Sequence, residues 1–135
     1  MTALSLTNDY GRMSGAVRAF YNWGHHHIND GHVAARPAQT AYYMHNDRMG
    51  GVSTYESFAP SSTTRVTLGF DYQHFGGHAW QKAMADGSRT DLVNRTVNEV
   101  AGYADIRQEL LSWLTADVAL RYDHHSVPGS EWIPQ

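Results

Sequence analysis

The sequence predicts an all-β chain, folded as an antiparallel up-and-down meander of about five long strands. Two observations lead there. Segments in which apolar and polar residues alternate recur along the 135 residues, separated by runs rich in Gly, Pro, Ser and Asp. The composition agrees: eight Tyr, four Trp and twelve Gly suit pleated strands and turns, and charged residues make up 17%, below the ~25% of typical soluble domains. A net charge of −3 offers no basic surface for nucleic acid, so no nucleic-acid partner is expected. With no cysteine, neither disulfides nor thiolate metal sites are available. No run approaches the ~18 apolar residues of a transmembrane helix.

The first strand is expected over residues 13–23, with Gly15, Val17, Ala19, Tyr21 and Trp23 on one face and Ser14, Arg18 and Asn22 on the other, Phe20 among them. A polar, His-rich loop is expected over 24–39. A second strand, over 41–58, has a weaker pattern and a Gly50-Gly51 pair that reads as a bulge. Ala59-Pro60-Ser61-Ser62 is a tight connection. The third strand, 65–75, alternates Val66, Leu68, Phe70 and Tyr72 with Arg65, Thr67, Asp71 and Gln73. A second long polar loop is expected over 76–97, with a turn at Asp86-Gly87-Ser88. The fourth strand, 98–110, sets Val100, Gly102, Ala104 and Ile106 against Tyr103, Asp105, Arg107 and Glu109. The fifth, 113–125, sets Leu114, Ala116, Val118, Leu120 and Tyr122 against Thr115, Asp117, Ala119, Arg121 and Asp123. Trp132-Ile133-Pro134-Gln135 reads as the start of a further strand.

Each expected strand reaches the ~9–11 residues that cross a bilayer as a tilted β-strand. The connections alternate long and short, as do the extracellular loops and periplasmic turns of outer-membrane barrels. That orientation sends the first, third and fifth strands outward. It places Trp23 and Tyr122 near outer ends and Trp113 and Phe58 near inner ends, as two aromatic girdles would lie; ordinary strand aromatics in a soluble sandwich are the alternative, which periodicity alone does not separate from a barrel. The expected object is an open, curved segment of a transmembrane β-barrel. Met1-Thr2-Ala3-Leu4-Ser5-Leu6 lacks a basic start followed by an apolar run, which is what a secretory signal needs. The barrel reading therefore carries the expectation that the chain is a fragment whose start lies upstream.

The run Val100-Ala101-Gly102-Tyr103-Ala104-Asp105-Ile106-Arg107-Gln108-Glu109, followed by Trp113-Leu114-Thr115-Ala116-Asp117-Val118-Ala119-Leu120-Arg121-Tyr122-Asp123, resembles a barrel hairpin of TonB-dependent receptors, with Ala119 where Gly is common. Phe20-Tyr21-Asn22-Trp23-Gly24-His25 and Gly69-Phe70-Asp71-Tyr72-Gln73-His74-Phe75-Gly76-Gly77 are similar to strands of the same family. Gly129-Ser130-Glu131-Trp132-Ile133-Pro134-Gln135 resembles a run leading into a next strand. The resemblance covers most of the chain, from about Gly11 onward. It implies residues 1–135 as part of a barrel of about 22 strands closed around a plug, in the outer membrane of a Gram-negative bacterium. It also implies import of a scarce small-molecule nutrient, such as a ferric siderophore or other metal complex, powered through TonB. The plug and the TonB contact would belong to the full-length parent, and this piece alone is not expected to transport. No resident cofactor is expected; iron or another metal chelate would be cargo.

Nine histidines need an account. All fall on the expected outer side, and His25, His26, His27, His32 and His78 are candidate metal ligands because imidazole suits Zn, Cu, Fe and Ni. The alternative is that they are polar residues at headgroup level. His25, His27, Asp30 and His32 resemble a metallo-β-lactamase ligand run, but that pattern would want Asp at Asn29 and His at Asp30, so no enzyme is expected. Asp105, Arg107, Glu109, Asp117, Arg121 and Asp123 read as a lumen-facing ion-pair ladder rather than an acid–base site. The rival reading is a small soluble β-sheet binding module that uses His-rich metal-binding loops.

Overall fold

A computed structural model describes residues 1–29, 39–127 and 129–134. It is all-β: a single open sheet of seven strands in sequential order, every neighbouring pair antiparallel. The strands are β1 (Thr2–Asp9), β2 (Met13–Ile28), β3 (Ala41–Phe58), β4 (Thr64–Ala83), β5 (Arg89–Leu111), β6 (Leu114–His125) and β7 (Gly129–Pro134).

Two strands exceed the expected five. β1 carries the Leu4 and Leu6 alternation and joins β2 through a turn in which Gly11, at φ +75°, adopts a conformation that L side chains rarely take. β7 forms at the run that opens on Gly129.

The long loop expected over 76–97 is mostly strand. β4 has 20 residues and β5 has 23, and their ladder runs to Lys82↔Arg89, shifting register once at Ala79/Trp80. Five residues, closed by the second positive-φ glycine, Gly87, connect them. Likewise the expected loop from 24 begins as strand, because Gly24 to Ile28 pair with Asp47 to Tyr43. The Gly50-Gly51 pair sits in unbroken register with Tyr21 and Phe20, so it makes no bulge.

Partners opposite one another share a face, so the register sorts every side chain. One face carries Leu4, Leu6, Met13, Val17, Tyr21, Trp23, Val52, Phe58, Leu68, Phe70, Val100, Ile106, Val118, Leu120 and Trp132, all exposed. The opposite face carries Arg18, Asp47, Asp71, Tyr103, Asp105, Arg121 and Asp123. Burial is one-sided. Ala16, Gly51, Ser57, Ala79, Ala101 and Asp123 all lie buried on the polar face, whereas only Gly15 does so on the apolar face. Among the described residues no large side chain is fully buried. The sheet thus bends round its polar face and leaves its apolar face bare.

Candidate functional site

The apolar face is a band with a definite edge. Going up each strand, it ends at His25 in β2, Arg48 in β3, His74 in β4, Asn98 in β5 and His124 in β6. These residues are not level in the ladder. His25 stands opposite Asn46, two residues beyond Arg48, and Arg48 stands opposite Gly76, two beyond His74. His74 is level with Asn98, and His124 pairs with Val100, two below Asn98. The edge therefore descends six residues across four strand spacings. At ~3.3 Å per residue and ~4.8 Å between strands, that is a slope of about 45° to the strand-perpendicular direction. Aromatic residues gather under this edge, with the Tyr122 and Trp132 rings 4.7 Å apart. Phe58 and the exposed Trp113 mark the opposite edge.

One carboxylate interrupts the apolar face. Glu56 accepts hydrogen bonds from the Asn8 amide at 3.1 and 3.2 Å, reaching across β2 over Gly15. A Cβ at Gly15 would collide with the Glu56 carboxylate and with the Tyr55 carbonyl, so glycine is what permits this bridge.

The polar face carries a connected ion-pair network. Arg121 donates to Asp123 through Nε at 2.9 Å and to Asp71 through Nη1 at 2.8 Å. Asp71 also accepts from the Ser53 hydroxyl at 2.6 Å. The Arg121 guanidinium lies 5.9 Å from the centre of the Tyr103 ring. All six expected lumen-ladder residues share this face. Arg107 stands opposite Asp117 but also opposite Arg65, and Glu109 stands opposite Thr115. Only Arg121 and Asp123 of the six make side-chain ion pairs with each other, and sequence reasoning left out their third member, Asp71. Its position in the Arg65/Thr67/Asp71/Gln73 alternation was the available signal.

The histidines divide between faces. His25 and His27 project on the apolar side of the sheet, where the His25 ring contacts the Asn46 amide and the His27 ring packs edge-on against Tyr42 at 4.8 Å. His78 is on that side too, 3.1 Å from Asp91, with the Arg89 guanidinium beside it. Arg89 lies over Trp80 at 4.3 Å. Its hydrogen bond to Asp91 holds that carboxyl below its usual range, and His78 adds to the effect. His32 lies outside the described residues.

Of the four candidates among the described residues, His26 alone projects on the polar side, and there it meets two groups absent from the expected ligand set. His45 stands opposite it, the rings 5.6 Å apart and stacked. Asp47 is two residues along from His45, its Oδ1 at 2.8 Å from His26 Nε2 and 3.9 Å from His45 Nδ1. One donor atom from each of the three lies within 4.8 Å of the others. The expected loop over 24–39 hid this pairing, because it left His26 without a strand partner.

Comparison with family models, with curated proteins and with solved structures finds no match to the chain.

Proposed function

We propose that the chain is a sector of the barrel of an outer-membrane, TonB-dependent receptor that imports a scarce nutrient such as a ferric siderophore or other metal complex. The apolar face meets lipid and the polar face lines the lumen. The observation that carries the reading is the sloping edge of the apolar band. Barrel strands tilt ~35–45° to the membrane normal. A level membrane surface must then cut successive strands at shifting register, by roughly 1–1.5 residues per strand. An edge descending six residues over four strands fits that requirement. A patch facing another protein layer has no reason to follow it.

Above the edge the apolar–polar alternation is lost, and β4 and β5 continue as a hairpin beyond the band, as an extracellular extension would. The 100–123 hairpin resemblance adds the receptor assignment. Among the described residues β1 and β7 each have a partner on one side only, so closing a barrel would draw on strands beyond these seven.

Topology is tested by cysteine labelling on intact Gram-negative cells displaying the barrel that contains this sector. Asn29→Cys and Asp86→Cys should react with a membrane-impermeant maleimide, and Ser61→Cys should not. Labelling of Ser61→Cys alone inverts the orientation. The import assignment is tested by uptake of labelled ferric chelates in cells with and without functional TonB. Uptake that persists without TonB removes that assignment.

A further inference from the structure

We infer that His26, His45 and Asp47 form a binding site for a divalent first-row transition-metal ion, held by two imidazoles and one carboxylate with at least one coordination position open. The site stands on the geometry of the β2–β3 ladder and does not depend on the lipid assignment.

Strand pairing supplies the preorganisation. Residues directly opposite one another have Cβ atoms ~4.5–5.5 Å apart, and residues two along a strand lie on the same face. His26 and His45 are such a pair, and Asp47 is the same-face neighbour of His45. Donor atoms bound to one ion at ~2.0–2.2 Å sit roughly 3.3 Å apart. The 2.8 Å and 3.9 Å separations at Asp47 Oδ1 straddle that value. The imidazole donors lie within 4.8 Å of each other, so closing on one ion requires the two rings to rotate toward each other as well as about Asp47 Oδ1.

The neighbouring backbone keeps this space clear. Asp47 is flanked in the ladder by glycine on both sides, Gly24 of β2 and Gly77 of β4. A Cβ at Gly24 would sit 2.5 Å from Asp47 Oδ1 and 2.9 Å from His26 Nε2. A Cβ at Gly77 would sit 2.8 Å from His45 Nε2. The Asp47 and His26 donors and the far edge of the His45 ring thus occupy room that two missing side chains leave.

Imidazole and carboxylate together suit Zn, Cu, Ni and Fe(II), and affinity should follow the usual rise to Cu(II). All three side chains are partly exposed, His26 most so at 54%. The ion would therefore be open to solvent or to a chelating small molecule on the polar side.

The test uses the full chain in detergent micelles, titrated with Cu(II), Ni(II) and Zn(II) by calorimetry, with circular dichroism checking the strand content of each variant. One tight site is expected. His45→Gln and Asp47→Asn should each weaken it at least about tenfold, since loss of even an outer-shell partner costs 10–100-fold. Gly24→Ala removes no ligand and should also weaken it, by crowding Asp47 and His26. The variant His25→Gln/His27→Gln/His78→Gln, altered only on the opposite side, should keep the wild-type affinity. With Cu(II) bound, electron paramagnetic resonance should show two coordinated nitrogens, falling to one in His45→Gln. The proposal is overturned if wild type shows no tight site. It is equally overturned if His45→Gln or Asp47→Asn leaves the affinity unchanged, or if the opposite-side variant abolishes binding.

Discussion

The ring of Tyr103 in β5 occupies the position that a Cβ on Gly69 in β4 would take. The two residues are direct ladder partners on the polar face. Covering a strand glycine with a cross-strand aromatic restores the packing that the glycine lacks and pins register. Gly69→Ala should therefore destabilise the sheet by about 1–3 kcal/mol through overpacking. The same substitution in a Tyr103→Ala background should cost far less. Unfolding measured as a double-mutant cycle reads the coupling directly, and additive losses would show that the ring does not depend on the glycine.

Arg121 joins β6 to β4 across the whole width of β5. Asp123 is buried and Asp71 partly so, and removing the cation leaves two carboxylates without their partner. Arg121→Met should cost about 2–4 kcal/mol. The triple change Arg121→Met/Asp71→Asn/Asp123→Asn should recover most of that loss. A triple variant no more stable than Arg121→Met would mean that the cost comes from lost packing of the arginine stem, not from unpaired charge.

The hairpin at the far end of β4 and β5 should respond to acid. Arg89 holds the Asp91 carboxyl below its usual value by hydrogen bonding, and the Ser88 backbone N–H does the same for Asp86. For a carboxylate whose folded value is depressed, the stabilisation is present above the unfolded value of ~4 and is lost as pH falls through the folded value. Carbon-13 NMR titration of the side-chain carboxyls should place both residues below the reference. Arg89→Gln should return Asp91 most of the way and leave Asp86 unmoved. An Asp91 titration unaffected by Arg89→Gln removes the assigned cause.

The sequence made the fold class legible because one face of β2, β4, β5 and β6 is apolar over much of its length. Val118-Ala119-Leu120-Arg121 alternates cleanly, and its predicted faces are those of the structure. Above the sloping edge the alternation fades, although the backbone ladder continues. Gly76-Gly77-His78-Ala79-Trp80 is strand with no apolar–polar alternation, so periodicity alone reads it as loop. His25-His26-His27 met the same difficulty, and the cluster of His26 with His45 and Asp47 went unseen because it depends on register. The Leu4/Leu6 alternation and the Asp9-Tyr10-Gly11 turn were readable signals for β1, but the strand is only eight residues long. Asp71 was placed on the polar face from sequence. Its union with Arg121 spans two strand pairings that alternation cannot connect.

If the apolar band lies level in a membrane while the strands tilt through it, three nitroxide labels on the apolar face should sit at depths that the ladder rows alone do not give. Met13 and Val118 lie in one ladder row, through Phe58, Val66 and Ile106, whereas Ala19 lies six residues above Met13 on β2. With the barrel reconstituted in lipid, accessibility to oxygen relative to a water-soluble nickel complex reports the depth of each label. The tilted-band account predicts that Ala19 and Val118 are both deep and match each other, while Met13 is shallow. Equal depths for Met13 and Val118, with Ala19 apart from them, would contradict it.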